Sequence, residues 1–231
     1  MKTYAVIAAA GSGSRMKNEV NKQFLLLDGV PVLAYTLRAF DRAAAIDEVI
    51  VVTRPQDILI VSDLVREFGI QKATAILPGG ETRQESVRCG LASVGKDDLV
   101  LIHDGARPLV SPGLIDRIAD ALQTAEAVAP GVPVKDTIKE VGADGRITKT
   151  LDRASLVQIQ TPQGFRSGLL HAAHAQALRD GIAATDDCTL LEALGVAVTV
   201  IPGEYTNIKI TTPEDLAVAE GLLRWEAEEC E

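Results

Sequence analysis

Short apolar runs alternate along this chain with longer stretches whose apolar positions recur every three to four residues, the rhythm of successive βαβ units. The runs predict strands at Tyr4–Ala8, Val49–Val52, Thr74–Leu77, Leu99–His103, Ala127–Pro130 and Ala197–Ile201. The periodic stretches predict helices at Val32–Arg42, Ile58–Phe68, Arg83–Ala92, Pro112–Ala125, Gly168–Arg179, Asp187–Leu194 and Pro213–Glu228. Several of these helices carry a start signal of their own. Thr82 followed by Glu85 reads as a capping box, and Ser111-Pro112 and Thr212-Pro213 each read as a cap followed by a first-turn proline.

One segment breaks the rhythm. Val132 to Val141 alternates apolar and polar residues, Gly142-Ala143-Asp144-Gly145 supplies a turn, and Arg146 to Leu151 follows. This pattern predicts a two-stranded hairpin rather than a crossover helix. A lone hairpin is only marginally stable, so it is expected to lie against its own domain or a second subunit. The organisation that results is a single domain over residues 1–231 with an arm inserted at about 133–155.

Composition narrows the class. Of the 231 residues 47% are hydrophobic but only 3% aromatic, which suits branched strands covered by alanine-rich helices and not a base-stacking platform. A net charge of −9 repels nucleic acid and acidic membranes, so neither is expected as a partner. An anionic ligand must then be gripped by a local cluster of cations, helped by a divalent metal. Cys89, Cys188 and Cys230 lie far apart with no C-x-x-C, against a zinc knuckle or a disulfide framework. With no leader pattern at the N-terminus and no apolar run near ~18 residues, a cytoplasmic location is expected.

The densest chemical signal is at the start. The first strand runs into Ala9-Ala10-Gly11-Ser12-Gly13-Ser14-Arg15-Met16, and Lys22-Gln23-Phe24 follows. Glycines let backbone N–H groups approach a ligand closely, and Arg15 and Lys22 suit a polyphosphate. The two common phosphate loops do not fit. A dinucleotide fingerprint needs a third glycine where Met16 stands and an acidic residue where Thr53 follows the second strand; a P-loop needs Gly-Lys-Ser/Thr. Met16 and Thr53 likewise speak against a nicotinamide-dependent dehydrogenase.

Two further positions carry chemistry. The run Leu99 to His103 ends in Asp104-Gly105-Ala106-Arg107-Pro108, at the carboxyl end of a strand, where parallel α/β sheets place their ligands. Asp104 there can hold Mg²⁺ beside substrate phosphates, or simply cap the turn at Gly105 and Ala106. Arg107 can grip a phosphate, or sit solvated in its loop. His103 is read as a packed strand-end residue, and His171 and His174 as ordinary helix residues with no partner ligand. Pro78-Gly79-Gly80-Glu81-Thr82 forms a second glycine loop entering a capped helix, with amides that can read a base or ribose.

Five motifs stand in order: Ala-Ala-Gly-x-Gly-x-Arg-Met with Lys-Gln-Phe, Gly-Gly-x-x-Arg-x-x-Ser-Val, His-Asp-Gly-Ala-Arg-Pro, Thr-Pro-Gln, and Asn-Ile-Lys-Ile-Thr-x-Pro-Glu-Asp. Together they resemble the 2-C-methyl-D-erythritol 4-phosphate cytidylyltransferases, from about Tyr4 to Glu220. The resemblance implies a Rossmann-like nucleotidyltransferase fold (GT-A-like), a three-layer α/β sandwich on a mostly parallel sheet, with a β-hairpin arm that forms a homodimer. It implies that CTP is the co-substrate, wrapped by Ala9, Ala10, Gly11 and Gly13, with Gly80, Glu81 and Ser86 on the nucleoside side. It implies that Arg15 and Lys22 hold the triphosphate, that Asp104 lies beside Mg²⁺ and the reacting phosphates, and that Lys209 serves catalysis. Arg107, Thr137, Arg153, Thr161 and Thr185 match positions around the acceptor phosphate, Thr137 and Arg153 coming from the partner's arm. Glu81 stands where an aspartate is also familiar in the family, and a carboxylate remains.

Three rival readings keep parts of this picture. A ribitol 5-phosphate cytidylyltransferase keeps the chemistry and changes the acceptor, though Thr137, Arg153 and Thr185 lean toward methylerythritol phosphate. A nucleotide-binding regulatory module drops turnover, but binding alone does not need Arg15, Lys22, Asp104 and Lys209 together. A fused cyclodiphosphate synthase is not expected in 231 residues.

Overall fold

The computed structural model describes residues 1–11 and 21–229. The chain folds in the order β1 (Thr3–Ala9), β2 (Leu26–Leu27), β3 (Val30–Pro31), α1 (Val32–Arg42), β4 (Glu48–Thr53), α2 (Ile58–Glu67), β5 (Ala73–Pro78), α3 (Arg83–Leu91), β6 (Leu99–Asp104) and α4 (Pro112–Ala121). It continues through β7 (Ala127–Pro133), β8 (Lys139–Val141), β9 (Ile147–Thr150), β10 (Val157–Ile159), β11 (Gln163–Arg166), α5 (Ser167–Asp180), α6 (Asp187–Ala193), β12 (Thr199–Pro202) and α7 (Pro213–Glu229).

The central sheet has eight strands, ordered β10-β7-β11-β6-β1-β4-β5, with β12 paired to β7. Strands β5, β4, β1 and β6 are mutually parallel, as the crossover helices between them require. Successive residues of a strand face opposite sides of a sheet, and both sides here are covered. Ala5, Ile7 and Ala9 of β1 join Leu33, Leu37 and Phe40 of α1 and Leu114, Ile115 and Ile118 of α4 in one core. Val6 of β1, with Ile50, Val52, Val100 and Ile102, packs on α3, α5 and α6 in the other. The result is the expected three-layer sandwich on a mostly parallel sheet, Rossmann-like. Helix α3 comes very close to the sheet at Gly90, where a Cβ would stand 2.5 Å from Val6 Cγ1 and 2.8 Å from Val52 Cγ2. The missing side chain lets the loop that enters α3 reach the carboxyl ends of β1 and β4.

Several expectations needed correction. The alternation from Val132 to Val141 is not one strand: Val132 and Pro133 end β7 in the main sheet, and the separate hairpin pairs only Lys139–Val141 with Ile147–Thr150. Period-two patterning looks the same wherever the partner strand lies, so the break at residues 134–138 leaves no mark in it. Helix α4 ends at Ala121 rather than Ala125, and the last strand starts at Thr199 rather than Ala197. Strands β10 and β11, not expected, pair antiparallel with successive parts of β7, and β11 also pairs antiparallel with β6. They therefore insert against the parallel grain of the sheet. The Thr161–Pro162 bond between them is cis. Among the described residues no helix is long and apolar enough to cross a membrane.

Candidate active site

The loops that leave β1, β5 and β6, with segment 207–211, surround a cavity of about 360 Å³ at the carboxyl ends of the parallel strands. Asp104, at the end of β6, stands in its wall with both carboxylate oxygens occupied. Oδ1 accepts from Arg83 Nε at 2.9 Å, and Oδ2 meets the Lys209 ammonium at 2.7 Å. Burial pushes this carboxyl up, but Arg83 and Lys209 outweigh it and hold Asp104 well below the usual carboxylate range. Asp104 is therefore a charged group in the cavity wall whose two oxygens are each engaged by a cation of the protein.

Arg83 does not stop at Asp104. Its Nη1 donates to Asp187 Oδ2 at 2.7 Å, and burial's downward pull on the guanidinium is outweighed by these two carboxylates. Arg83 lies within the Gly-Gly-x-x-Arg-x-x-Ser-Val motif, but the motif alone does not reveal these partners. Its partners lie 21 and 104 residues away, beyond any local signal.

Lys22 opens a short 3₁₀ turn, Lys22–Phe24, that Asn21 caps by accepting from the Gln23 N–H. Its ammonium lines the cavity and donates to the carbonyl of Ile210 at 3.1 Å, next to Lys209. Segment 207–211 is itself tied down. Ile210 N–H donates to Ala106 O, Asn207 Nδ2 to Thr161 O, and Thr211 and Thr212 N–H to Asp215 Oδ2 at the start of α7. Two lysines far apart in sequence thus reach one cavity from anchored backbones.

The second glycine loop is clamped shut from within. Gly80 N–H donates to Ser86 Oγ at 3.2 Å, and the Glu81 and Thr82 N–H groups both donate to Glu85 Oε2. The capping box expected at Thr82 and Glu85 is present in full. These amides are therefore hydrogen-bonded inside the loop, at the edge of the cavity that Gly80, Glu81 and Ser86 line. A Cβ at Gly79 would sit 2.6 Å from Ala10 Cβ, so glycine is what lets the two loops meet.

The other expected residues divide. Ala10, Gly11, Gly80, Glu81, Ser86 and Thr185 line the cavity, whereas Ala9 turns its methyl into the core. Gly13 and Arg15 lie outside the described residues. Arg107 and Thr161 are built into the wall behind Asp104. Arg107 Nη1 donates to Asn207 O at 2.7 Å, its Nε lies 3.8 Å from Asp104 Oδ2, and Asp104 N–H donates to Thr161 Oγ1. Thr137 and Arg153 are exposed on the arm side of β7, where Arg153 Nη1 donates to Lys135 O.

His103 is the packed strand-end residue expected. It is buried, and burial lowers its pKa to about 3. Thr161 Oγ1 accepts from Asp104 N–H, so its own proton goes to His103 Nδ1 at 3.0 Å, and His103 Nε2–H faces Arg107 O at 3.3 Å. This network assigns the neutral Nε2–H tautomer. The His103 ring carbon signals in ¹H–¹³C NMR are therefore expected to stay fixed from pH 8 to pH 5; a titration midpoint near ~6.5 would contradict the assignment. His174, read as an ordinary helix residue, is buried and faces Asp187.

The residues fit a divalent cation only in part. Among the described residues no group of three or more His, Cys, Asp and Glu side chains could hold a metal. Among the described residues the carboxylates on the cavity are Asp104 and Glu81. One or two carboxylates suit Mg²⁺ delivered on substrate phosphates, not a resident ion in a protein cage.

Residues 3–225 match the family model described as 2-C-methyl-D-erythritol 4-phosphate cytidylyltransferase. A curated protein of that name from Pelotomaculum thermopropionicum is 47% identical over 225 residues, covering 96% of this chain and 94% of its own. The crystal structure of 4-diphosphocytidyl-2C-methyl-D-erythritol synthase from Anaerococcus prevotii superposes with a TM-score of 0.85 at 35% identity, covering 96% of each chain. That of 2-C-methyl-D-erythritol 4-phosphate cytidylyltransferase from Thermus thermophilus gives 0.77 at 38%, covering 97% of this chain and all of the other.

Proposed function

Because the chain belongs to the 2-C-methyl-D-erythritol 4-phosphate cytidylyltransferase family, we propose that its catalytic work is done by Lys22, Asp104 and Lys209 around the cavity, together with Arg15. The protein is a nucleotidyltransferase that moves the cytidylyl group of CTP onto 2-C-methyl-D-erythritol 4-phosphate in the non-mevalonate pathway. A phosphate oxygen of the acceptor attacks the α-phosphorus, an O–P bond forms, and the bond to the β-phosphate oxygen breaks with loss of pyrophosphate. The nucleophile is already an anion near neutral pH, so no strong base is needed. What must be overcome is repulsion between two polyanions and charge build-up on the leaving group.

The observation that carries this assignment is the convergence of Lys22 and Lys209 on one cavity with an Asp104 that stays ionised. Lys22 and Arg15 neutralise the triphosphate and the departing pyrophosphate. Lys209, steadied by Asp104, meets the acceptor phosphate. This explains how a protein of net charge −9 binds two anions: the favourable field is local. Mg²⁺ bound with CTP would supply further neutralisation of the triphosphate, and Asp104 is the residue placed to touch it. With the loop amides hydrogen-bonded inside the loop, the Gly80 carbonyl and the Glu81 carboxylate are acceptors for the amino edge of cytosine, a donor that uracil lacks.

The arm supports a homodimer and a shared site. Val141 and Ile147 of the hairpin are more than half exposed, and Arg153 and Thr137 lie outside this chain's own cavity. A second copy would cover the first pair and bring the second pair to the acceptor. One domain with an inserted arm and a cytoplasmic location complete the reading; Cys89 and Cys188 are free thiols, as a reducing compartment allows.

Pyrophosphate release with Mg²⁺ and each of the four nucleoside triphosphates, against methylerythritol 4-phosphate and ribitol 5-phosphate, tests the assignment. Release is expected only with CTP and methylerythritol 4-phosphate; release with ribitol 5-phosphate alone would move the acceptor. Arg153→Ala is expected to raise KM for the acceptor ~10-fold or more and to leave that for CTP unchanged. If neither constant moved, the arm would not be at the acceptor site.

A further inference from the structure

Two buried side chains that do not line the cavity are linked to it by a continuous chain of contacts. His174 on α5 and Asp187 at the start of α6 are 3% and 1% exposed. His174 Nε2 lies 3.1 Å from Asp187 Oδ1, and Asp187 Oδ2 accepts from Arg83 Nη1 at 2.7 Å. Arg83 Nε then donates to Asp104 Oδ1, whose Oδ2 meets Lys209. The chain runs from a helix on one face of the sheet to the ammonium placed for the acceptor.

Helix packing alone does not call for these groups. Buried histidine and carboxylate side chains lose their hydration, and an apolar pair of similar volume would fill the same space at no such cost. Their polarity therefore asks for a reason, and the geometry of Arg83 gives one. A guanidinium is planar, and fixing N–H groups on two of its nitrogens fixes that plane. Asp104 alone would leave Arg83 free to pivot about one contact; Asp187 removes that freedom. Asp187 is in turn fixed at both ends, its side chain by His174 and its backbone N–H by Gln163 Oε1 at 3.2 Å. The neighbouring Asp186 takes the helix-capping duty instead, accepting from the Thr189 N–H and hydroxyl, so Asp187 is free for this task.

We propose that His174 and Asp187 are positioning residues for cytidylyl transfer: they lock the plane of Arg83, which holds Asp104 and through it Lys209 in the reactive arrangement. The inference rests on the reaction assigned above. Neither residue lines the cavity, so their effect falls on the transition state more than on CTP binding.

The test compares His174→Leu, which fills the space without a donor, with His174→Gln, which keeps an N–H near the Nε2 position, and both with Asp187→Asn and the His174→Leu/Asp187→Asn double variant. Rates are read at a temperature where circular dichroism shows every variant folded. His174→Leu is expected to lower kcat ~10-fold with KM for CTP within ~2-fold, and His174→Gln to restore kcat to within ~3-fold. The double variant is expected to lose no more than Asp187→Asn, because both act through Arg83. Equal rates for Leu and Gln, losses in step with melting temperature, or losses that multiply in the double variant would each overturn the proposal. Should Asp187→Asn not fold, the Leu and Gln pair still decides. Absence of turnover in the unsubstituted protein would instead overturn the assigned reaction, and the inference with it.

Discussion

Lys22→Ala is expected to lower kcat ~10²-fold or more at saturating CTP, the scale of removing one preorganised charge contact in a water-poor site. The side chain is well prepared for that role. Asn21 caps the turn that carries it, Phe24 of the same turn packs on the core, and Ile210 O fixes the ammonium at the cavity edge. Little reorganisation is then needed when charge moves onto the departing pyrophosphate, and a factor of 10² corresponds to about 2.7 kcal/mol of transition-state stabilisation. Lys22→Arg keeps the charge but spreads it over a longer planar group, so an intermediate loss is expected. Steady-state kinetics on both variants, with melting curves as a control, read the effect. Unchanged turnover in Lys22→Ala at saturating CTP would remove Lys22 from the catalytic set.

The strands and helices that face their own neighbours were legible in the sequence, because burial imposes a period on each. The β11 strand was not. Gln163-Gly164-Phe165-Arg166 is short and follows a proline, and only its two partners, β6 and β7, make it a strand. The hairpin is legible, but its alternation runs on from Val132 and Pro133, which belong to the main sheet. At the site, Asp104 could be read from its place at a strand end, and Lys22 from its distance to the glycine loop. Arg107 suggests a phosphate grip by its type, while its contacts in the fold, Asn207 O and the far side of Asp104, have no local signature in the sequence. The link from Arg83, itself part of a motif, to Asp187 and His174 was not legible for the same reason: the contacts cross from α3 to α6 and α5, and no spacing in the chain encodes that meeting.

Asp104→Asn is expected to lower kcat by ~10² to 10³-fold and, separately, to change how stability depends on pH. A carboxylate accepts from Arg83 on one oxygen and Lys209 on the other; an amide offers one oxygen and turns a donor toward the second cation. Either Arg83 or Lys209 must then let go, and the cavity gains one net positive charge. Near neutral pH the variant is expected to be less stable by about 2 kcal/mol, a figure reduced from that of a fully buried pair because Lys209 is a third exposed. The pH dependence follows from the depressed carboxyl of the native protein. Its stabilisation is fully present above the unfolded-state value of about 3.9 and is lost as pH falls below it, where the unfolded chain takes up a proton that the folded chain refuses. Asparagine has no such proton to bind. The stability gap between the two proteins is therefore expected to be widest above pH ~5 and to narrow steadily from pH ~4 downward. Chemical denaturation of both across that range reads the gap directly. A gap that stayed constant into acid would mean that Asp104 is not the carboxylate Arg83 and Lys209 hold ionised, and would place the charge that steadies Lys209 elsewhere in the wall.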